Sequence, residues 1–278
     1  MSQFRRKVQK KIENSFLTVP AYIALEGIYL LRYCLYGTAK LPPDDVRNME
    51  ENVTICIKSF NRQRKTKRLY KSIRKYYPNI RILIADDSKV PLEIPGAEII
   101  YLPFNSGLPQ GMIATLNRVE TPYHIRLDDD MLFVPQTKFP ELLRLLQEHE
   151  EVDMAAVTCQ KPCKKSAEGY LRINMGKPMK IPVGTKIGKN CIVAAKVPNC
   201  FIARTESVRA VGYDPNIRLM DHQEFFFRAA GKIVAVIDPT SYILHCHNPF
   251  DWRYRPYRSD IRGDALYIWK KHAGENYR

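Results

Sequence analysis

Three consecutive carboxylates, Asp128, Asp129 and Asp130, stand between the apolar segments Tyr123 to Leu127 and Met131 to Phe133. An unpaired buried carboxylate costs several kcal/mol, so such a cluster must face solvent, a cation or both. A buried strand that ends abruptly in acids opens into a polar cleft, and in open α/β sheets that cleft is where ligands bind. Mg²⁺ or Mn²⁺ prefers carboxylate oxygens and keeps positions free for water or phosphates, so the natural second ligand is a diphosphate. A base is available further along in the segment 221–228, where Asp221, His222 and Glu224 all offer a proton acceptor. Asp221 and Glu224 also match a capping box, a purely structural use of the same two acids. In the strand Tyr242 to His247, alternation puts His245 and His247 on one face, either as transition-metal ligands or as ordinary polar residues at a strand end.

Strands and helices must alternate to deliver these groups. Val53 to Ile57 reads as a strand, Gln63 to Tyr76 as a helix stopped by Pro78, and Ile80 to Ala85 as a second strand. Two strands joined by a helix form a parallel, right-handed unit, so both deliver polar loops to one edge. Those loops carry Ser59, Asn61 and Arg62 after the first strand, and Asp86 and Asp87 after the second. That edge outlines a nucleotide site, since an Asp can accept the imide N–H of uracil. A third strand at 99–102 precedes Gly107 and Gly111, which fit close backbone approach or simple turns ahead of a helix to about Val119. Leu41 to Asp45 reads as a linker, Phe139 to Glu150 as an amphipathic helix and Met154 to Val157 as a strand. Residues 161–189 read as hairpins or a mobile loop of the lid kind.

The chain has 278 residues, 45% of them hydrophobic, enough for one sizeable core with an appendage. A formal charge of +15 implies anionic company: nucleic acid, lipid headgroups or a phosphorylated substrate. Seven cysteines form no tight framework and imply a reducing compartment. Cys159 and Cys163 joined to His245 and His247 would make a zinc site, but no second knuckle accompanies them. The first 45 residues pair Arg5, Arg6, Lys7, Lys10 and Lys11 with the apolar stretch Phe16 to Tyr36, which Pro20, Glu26 and Arg32 interrupt. No small-residue cleavage site follows, which argues against a secretory signal. The stretch fits either an interfacial helix on an anionic membrane or a helix docked on the protein's own core.

Several motifs occur together and in order: Val53 to Arg62, Ser72-Ile73-Arg74, Tyr77-Pro78, Ala85-Asp86-Asp87-Ser88, Pro103-Phe104, Asn105 with Gly107, and Leu127-Asp128-Asp129-Asp130. Phe201-Ile202-Ala203-Arg204, Val211 to Pro215 and His222 with Glu224-Phe225-Phe226 follow them. In this order and spacing the chain resembles family-2-like glycosyltransferases of the GT-A fold, and most of all the catalytic domains of β-1,4-N-acetylgalactosaminyltransferases of the GM2/GD2-synthase type. The resemblance covers about residues 50 to 250. It implies an α/β, Rossmann-like, mostly parallel twisted sheet flanked by helices, as a single catalytic domain at 50–250 between a helical extension (1–45) and a basic aromatic tail (251–278).

It further implies a Mn²⁺- or Mg²⁺-dependent, inverting transfer from a UDP-sugar, of the UDP-GalNAc, UDP-GlcNAc or UDP-hexose type, to a hydroxyl of a glycan or glycolipid. Residues matching the nucleotide-sugar site are Ser59, Asn61, Arg62, Asp86, Asp87, Gly107, Asp128 and Asp129. Those matching the metal site are Asp130 and Asp128, with either His245 or His247. The base falls among Asp221, His222 and Glu224, and the register departs from the usual Glu-Asp pair. The cysteines imply a cytoplasmic place, and one of the two readings of the N-terminal stretch puts the chain on the inner face of an anionic membrane, with no nucleic acid as partner. Two other classes compete. A nucleotidyltransferase would need a glycine-rich, lysine-bearing loop near the first strand, and none is there. A nucleic-acid binder is suggested by Arg62 to Arg81, which holds no acid, and by the tail Trp252 to Arg258.

Overall fold

The computed structural model describes residue 12 and residues 15–160 and 167–273. The basic lead-in at residues 5–11 and Cys163, with the zinc grouping that includes it, lie outside the described residues. The strand β1 (Val53–Ser59) is buried along its whole length, as a β-branched run covered on both faces must be. It is followed by α3 (Gln63–Arg74), whose Thr66, Leu69 and Ile73 pack inward, and by β2 (Arg81–Asp86). Pro78 stops the helix, and β2 pairs parallel to β1 with Ser59 opposite Asp86. β3 (Glu98–Tyr101) extends the sheet beside β2, and α4 (Leu108–Leu116) returns the chain to β4 (Tyr123–Asp128). β4 lies parallel to β1 on its other side, with Lys58 opposite Asp128.

The remainder completes a ten-stranded sheet in the order β3-β2-β1-β4-β9-β6-β10-β8-β7. Beyond β4 come β5 (Met131–Leu132), α5 (Phe139–Glu148), β6 (Met154–Gln160), α6 (Ala167–Leu171), β7 (Lys186–Ile187) and β8 (Cys191–Val193). Then follow β9 (Phe201–Arg204), α7 (Thr205–Val211), α8 (Asp221–Ala229), β10 (Ala235–His245) and α9 (Arg262–Lys271). Four strands, β3, β2, β1 and β4, form the parallel half, and β9 enters antiparallel between β4 and β6. β5 pairs antiparallel with the end of β10, so His245 lies opposite Met131. That pairing folds β10 back over the aspartate turn.

Two expectations are corrected. Leu41 to Asp45 is no linker: Pro43 starts helix α2 (Pro43–Asn52), with Asp44 and Asp45 in its first turn where the helix dipole favours acids. The capping box at Asp221 and Glu224 does not form; the amides of Arg218, Leu219 and Met220 donate to the carboxylate of Asp264 on α9. The basic aromatic tail packs on the body. Tyr254 and Tyr257 pack on Phe60, and α9 docks through Lys271 on Asp214 and Glu224.

The N-terminal helix α1 (Thr18–Leu35) packs on the body through Tyr29, beside Leu132, Val134 and Leu244. Among the described residues no helix is long and apolar enough to cross a membrane.

Candidate active site

The C-terminal ends of β1, β2 and β4 lie side by side, because parallel pairing aligns Lys58 with Asp128 and Ser59 with Asp86. The aspartate turn between β4 and β5 sits at the same edge. Asp130 and Asp129 are both buried there, 5% and 1% exposed, so their charge has to be met by partners. Arg62 supplies it: its guanidinium binds both oxygens of Asp129 and reaches Asp130 at 3.0 Å. The ring of Tyr254 lies 3.7 Å from the guanidinium carbon on its open face. His245 Nε2 lies 3.3 Å from Asp130 Oδ1, and Cys246 N donates to the Asp130 carbonyl at 2.7 Å.

Burial alone would raise Asp130, but Arg62 and His245 hold it well below the usual carboxylate range. Burial would lower His245, but Asp130 overrides it and pushes the imidazole up to about 10. Asp128 moves up, through burial that Arg126 only partly offsets.

Asp130, His245 and His247 each present one ligand atom, and these atoms lie within 4.8 Å of one another. One carboxylate oxygen and two imidazole nitrogens suit Mn²⁺ better than Mg²⁺, which prefers an all-oxygen shell. The set leaves coordination positions open for phosphate oxygens.

At the ends of β1 and β2, Asp87 binds the buried Lys58 and accepts from Gly107 N at 3.0 Å. Asp86 accepts from Ser88 Oγ at 2.6 Å and from Leu92 N at 2.9 Å, so both its oxygens already shape the loop after β2. Ser59 is buried, with its hydroxyl 3.0 Å from Thr66 Oγ1. Asn61 adopts φ +51°, donating its N–H to Ser88 and accepting from Lys89 N. It borders a cleft of about 470 Å³ lined by Arg62, Arg64, Lys65, Lys89 and Arg253 with the single acid Asp251, a wall of net positive charge. A second cavity of about 280 Å³ lies against His247, Arg62, Tyr254 and Arg258.

The glycines have specific tasks here. Gly107 has φ +103°, and a Cβ there would meet the Arg218 carbonyl at 2.8 Å. At Gly111 a Cβ would fall 2.0 Å from Lys58 Cδ, and Lys58 cannot retreat because Asp87 holds its Nζ. Gly111→Ala is therefore expected to displace the Lys58–Asp87 pair, lower stability by about 1–3 kcal/mol and weaken UDP binding by at least about tenfold. Denaturant unfolding and a UDP titration check it; unchanged values in both would refute the packing argument.

The three candidate bases separate in space. Asp221 sits at the start of α8, buried, with Oδ2 2.7 Å from Arg126 Nη2 and Oδ1 without a hydrogen-bond partner among the described residues. Alternation along β4 places Arg126 on the same face as Asp128, so this bond ties α8 to the strand that delivers the aspartates. His222 is turned to the Val197 carbonyl at 2.7 Å, and burial, with Lys196 and Arg126, pushes its pKa well below the usual value. A neutral ring whose Nε2–H donates to that carbonyl is what this geometry requires. Glu224 instead binds Arg228 and Lys271, which lower it against the effect of burial. That network joins α8 to α9 and gives Glu224 a structural task; it is not brought together with the aspartate turn.

Two residues of the site were not among the expected ones: Lys58, next to last in β1, and Arg126, two residues before the triplet; a charge in a buried strand was the available signal. Tyr254 and Arg258 come from the tail whose aromatics and arginines suit an anionic partner. The Nε and Nη1 of Arg258 are buried without hydrogen-bond partners among the described residues, beside the cavity that His247 lines.

The sheet order and the acidic turn at its edge are those of a nucleotide-sugar transferase fold. The chain belongs to glycosyl transferase family 2, whose profile matches residues 54–212. It is 34% identical over 209 residues to β-1,4 N-acetylgalactosaminyltransferase 2 of Mus musculus, covering 73% of this chain and 41% of that protein. It is 30% identical over 222 residues to β-1,4 N-acetylgalactosaminyltransferase 1 of Rattus norvegicus, covering 72% and 40%. The chain thus spans about two fifths of the length of these relatives. In fold it is similar to S. aureus TarS 1–349 in complex with UDP-GlcNAc, at TM-score 0.52 and 11% identity over 69% of this chain and 57% of that one. GalNAc-T7 with UDP, GalNAc and Mn²⁺ gives TM-score 0.52 and 13% identity, over 80% and 54%. The GT-A arrangement expected from the sequence is the one observed.

Proposed function

We propose that this chain transfers a sugar, an N-acetylhexosamine in the first instance, from a UDP-sugar to a hydroxyl of a glycan or glycolipid, with inversion at the anomeric carbon. The observation that carries this reading is the junction of Asp130, His245 and His247 with the polar ends of β1 and β2 on one sheet edge. Support comes from the relatives, named as N-acetylgalactosaminyltransferases, and from fold neighbours captured with UDP-GlcNAc or with UDP and Mn²⁺. A divalent cation on Asp130 and the two imidazoles would stabilise charge developing on the departing diphosphate.

The chain's own residues do the rest. Arg62 and Arg258 face the same cavity as His247, where their donors can hold diphosphate oxygens. Asp87, fixed by Lys58 and Gly107, and Asn61 border the place for uridine. Asp221 takes the acceptor hydroxyl proton on its unpartnered Oδ1. The acceptor oxygen then bonds to the anomeric carbon from the face opposite the leaving group, and the bond from that carbon to the β-phosphate oxygen breaks, so that UDP departs with the electron pair. Arg126 keeps the other Asp221 oxygen oriented.

The test is a panel of UDP-sugars incubated with the full chain and Mn²⁺, with UDP release as readout. Release from one sugar well above the others, and lost on chelation, is expected. Steeply salt-dependent DNA binding with no response to any UDP-sugar would instead favour the nucleic-acid reading.

A further inference from the structure

Helix α1 packs Leu25, Tyr29 and Tyr33 on the body but leaves most of its apolar side chains outside. Its body-facing side holds the polar groups: Glu26 pairs with Lys65 and Arg68, Tyr29 donates its hydroxyl proton to the His247 carbonyl at 2.9 Å, and the Tyr22 carbonyl accepts from Asn248 at 3.0 Å. Between Phe16 and Leu35 no exposed residue is charged, and Phe16, Val19, Ile23, Ile28, Leu31 and Leu35 stand in solvent. Surface helices of globular proteins do the reverse, and a contiguous apolar patch of this kind marks an interaction site.

Beside it runs α3, joined to α1 by the Glu26 pairs and by Lys75, whose Nζ lies 4.8 Å from the Tyr33 ring centroid. On its exposed side α3 and the residue after it present Arg64, Lys67, Lys71 and Lys75, spaced three or four residues apart and so forming one stripe. An apolar helix face without an exposed charge is thereby flanked by a row of cations. Trp252, edge-on to Tyr22 with ring centroids 5.3 Å apart, extends the face with a ring of the type that settles at lipid headgroups.

We propose that this two-helix face docks on the surface of an anionic phospholipid bilayer. α1 lies in the plane with its outward side chains among the upper acyl chains, and the α3 stripe meets the lipid phosphates. The bonds along its polar side hold α1 against the body, so it lies on the membrane and does not cross it. Charge argues against a second copy of this chain on the same face, since the two cation rows would be brought together.

Vesicle co-sedimentation of the full chain tests this independently of sugar transfer. Binding to vesicles containing phosphatidylserine, little to phosphatidylcholine alone, and release by high salt are expected. Lys67→Glu with Lys71→Glu should weaken binding by about 30-fold or more, and Ile23→Glu with Leu31→Glu by about 100-fold or more. All four side chains are exposed, so circular dichroism should show both variants folded. No sedimentation with anionic vesicles, or full binding by both variants, would overturn the proposal. So would a dimer in light scattering that Ile23→Glu and Leu31→Glu disperse while vesicles bind nothing.

Discussion

Asp130→Ala is expected to abolish Mn²⁺-dependent UDP binding and to lower the rate of sugar transfer by at least about 10³-fold, the several kcal/mol that a bound cation contributes to a departing diphosphate. The fold should survive. Arg62 keeps both contacts to Asp129 when Asp130 is shortened, so no guanidinium is left buried without a carboxylate. The stability cost should itself vary with pH in metal-free buffer. His245 is raised from 6.5 to about 10 by its pairing, so its contribution is complete below about 6.5 and lost as pH rises through 10. Asp130 is depressed below 3.8, so its contribution holds above that value and is lost in more acidic solution. Wild type and variant should therefore differ most between about pH 4 and 6.5, and the difference should narrow toward pH 10 to the part that Arg62 supplies. Calorimetry with UDP and denaturant titrations at three pH values check both parts; metal-dependent UDP binding at wild-type strength would remove Asp130 from the site.

Asp221→Asn is expected to reduce turnover by about 10²–10⁴-fold while changing UDP affinity by less than about threefold, the pattern for loss of a base that does not touch the donor. The amide keeps the shape but leaves Arg126 without its charge partner, so a stability loss of about 3 kcal/mol accompanies it. Comparison with His222→Gln separates chemistry from packing. Its ring is neutral and committed to the Val197 carbonyl, so that variant should keep turnover within about tenfold of wild type. If His222→Gln proved the more damaging change, the roles of the two residues would have to be exchanged.

Much of this was legible in the chain because strand edges announce themselves. The step from Leu127 to Asp128 and the step from Ala85 to Asp86 marked the two parallel strands that carry acids, and parallel pairing brings such ends together without further information. His245 and His247 do come to one place as the alternation implied, although β10 ends at His245 and His247 follows just beyond it. Long-range partners were less legible. No local pattern says that Arg62 will bridge Asp129 and Asp130, that Arg126 will hold Asp221, or that Asp264 will cap α8 from the basic aromatic tail. Such pairings depend on how elements dock, and local periodicity carries no record of that. The start of α2 was missed for a different reason: two prolines and two acids suit a linker and a helix start equally well.

The most direct test is a calorimetric titration of UDP into the full chain with and without Mn²⁺. Tight binding that appears only with the metal, at one UDP per chain, is the expected result and would place the diphosphate on the cation held by Asp130 and the two histidines. UDP binding of equal strength in the presence of chelator, or none in either condition, would contradict it.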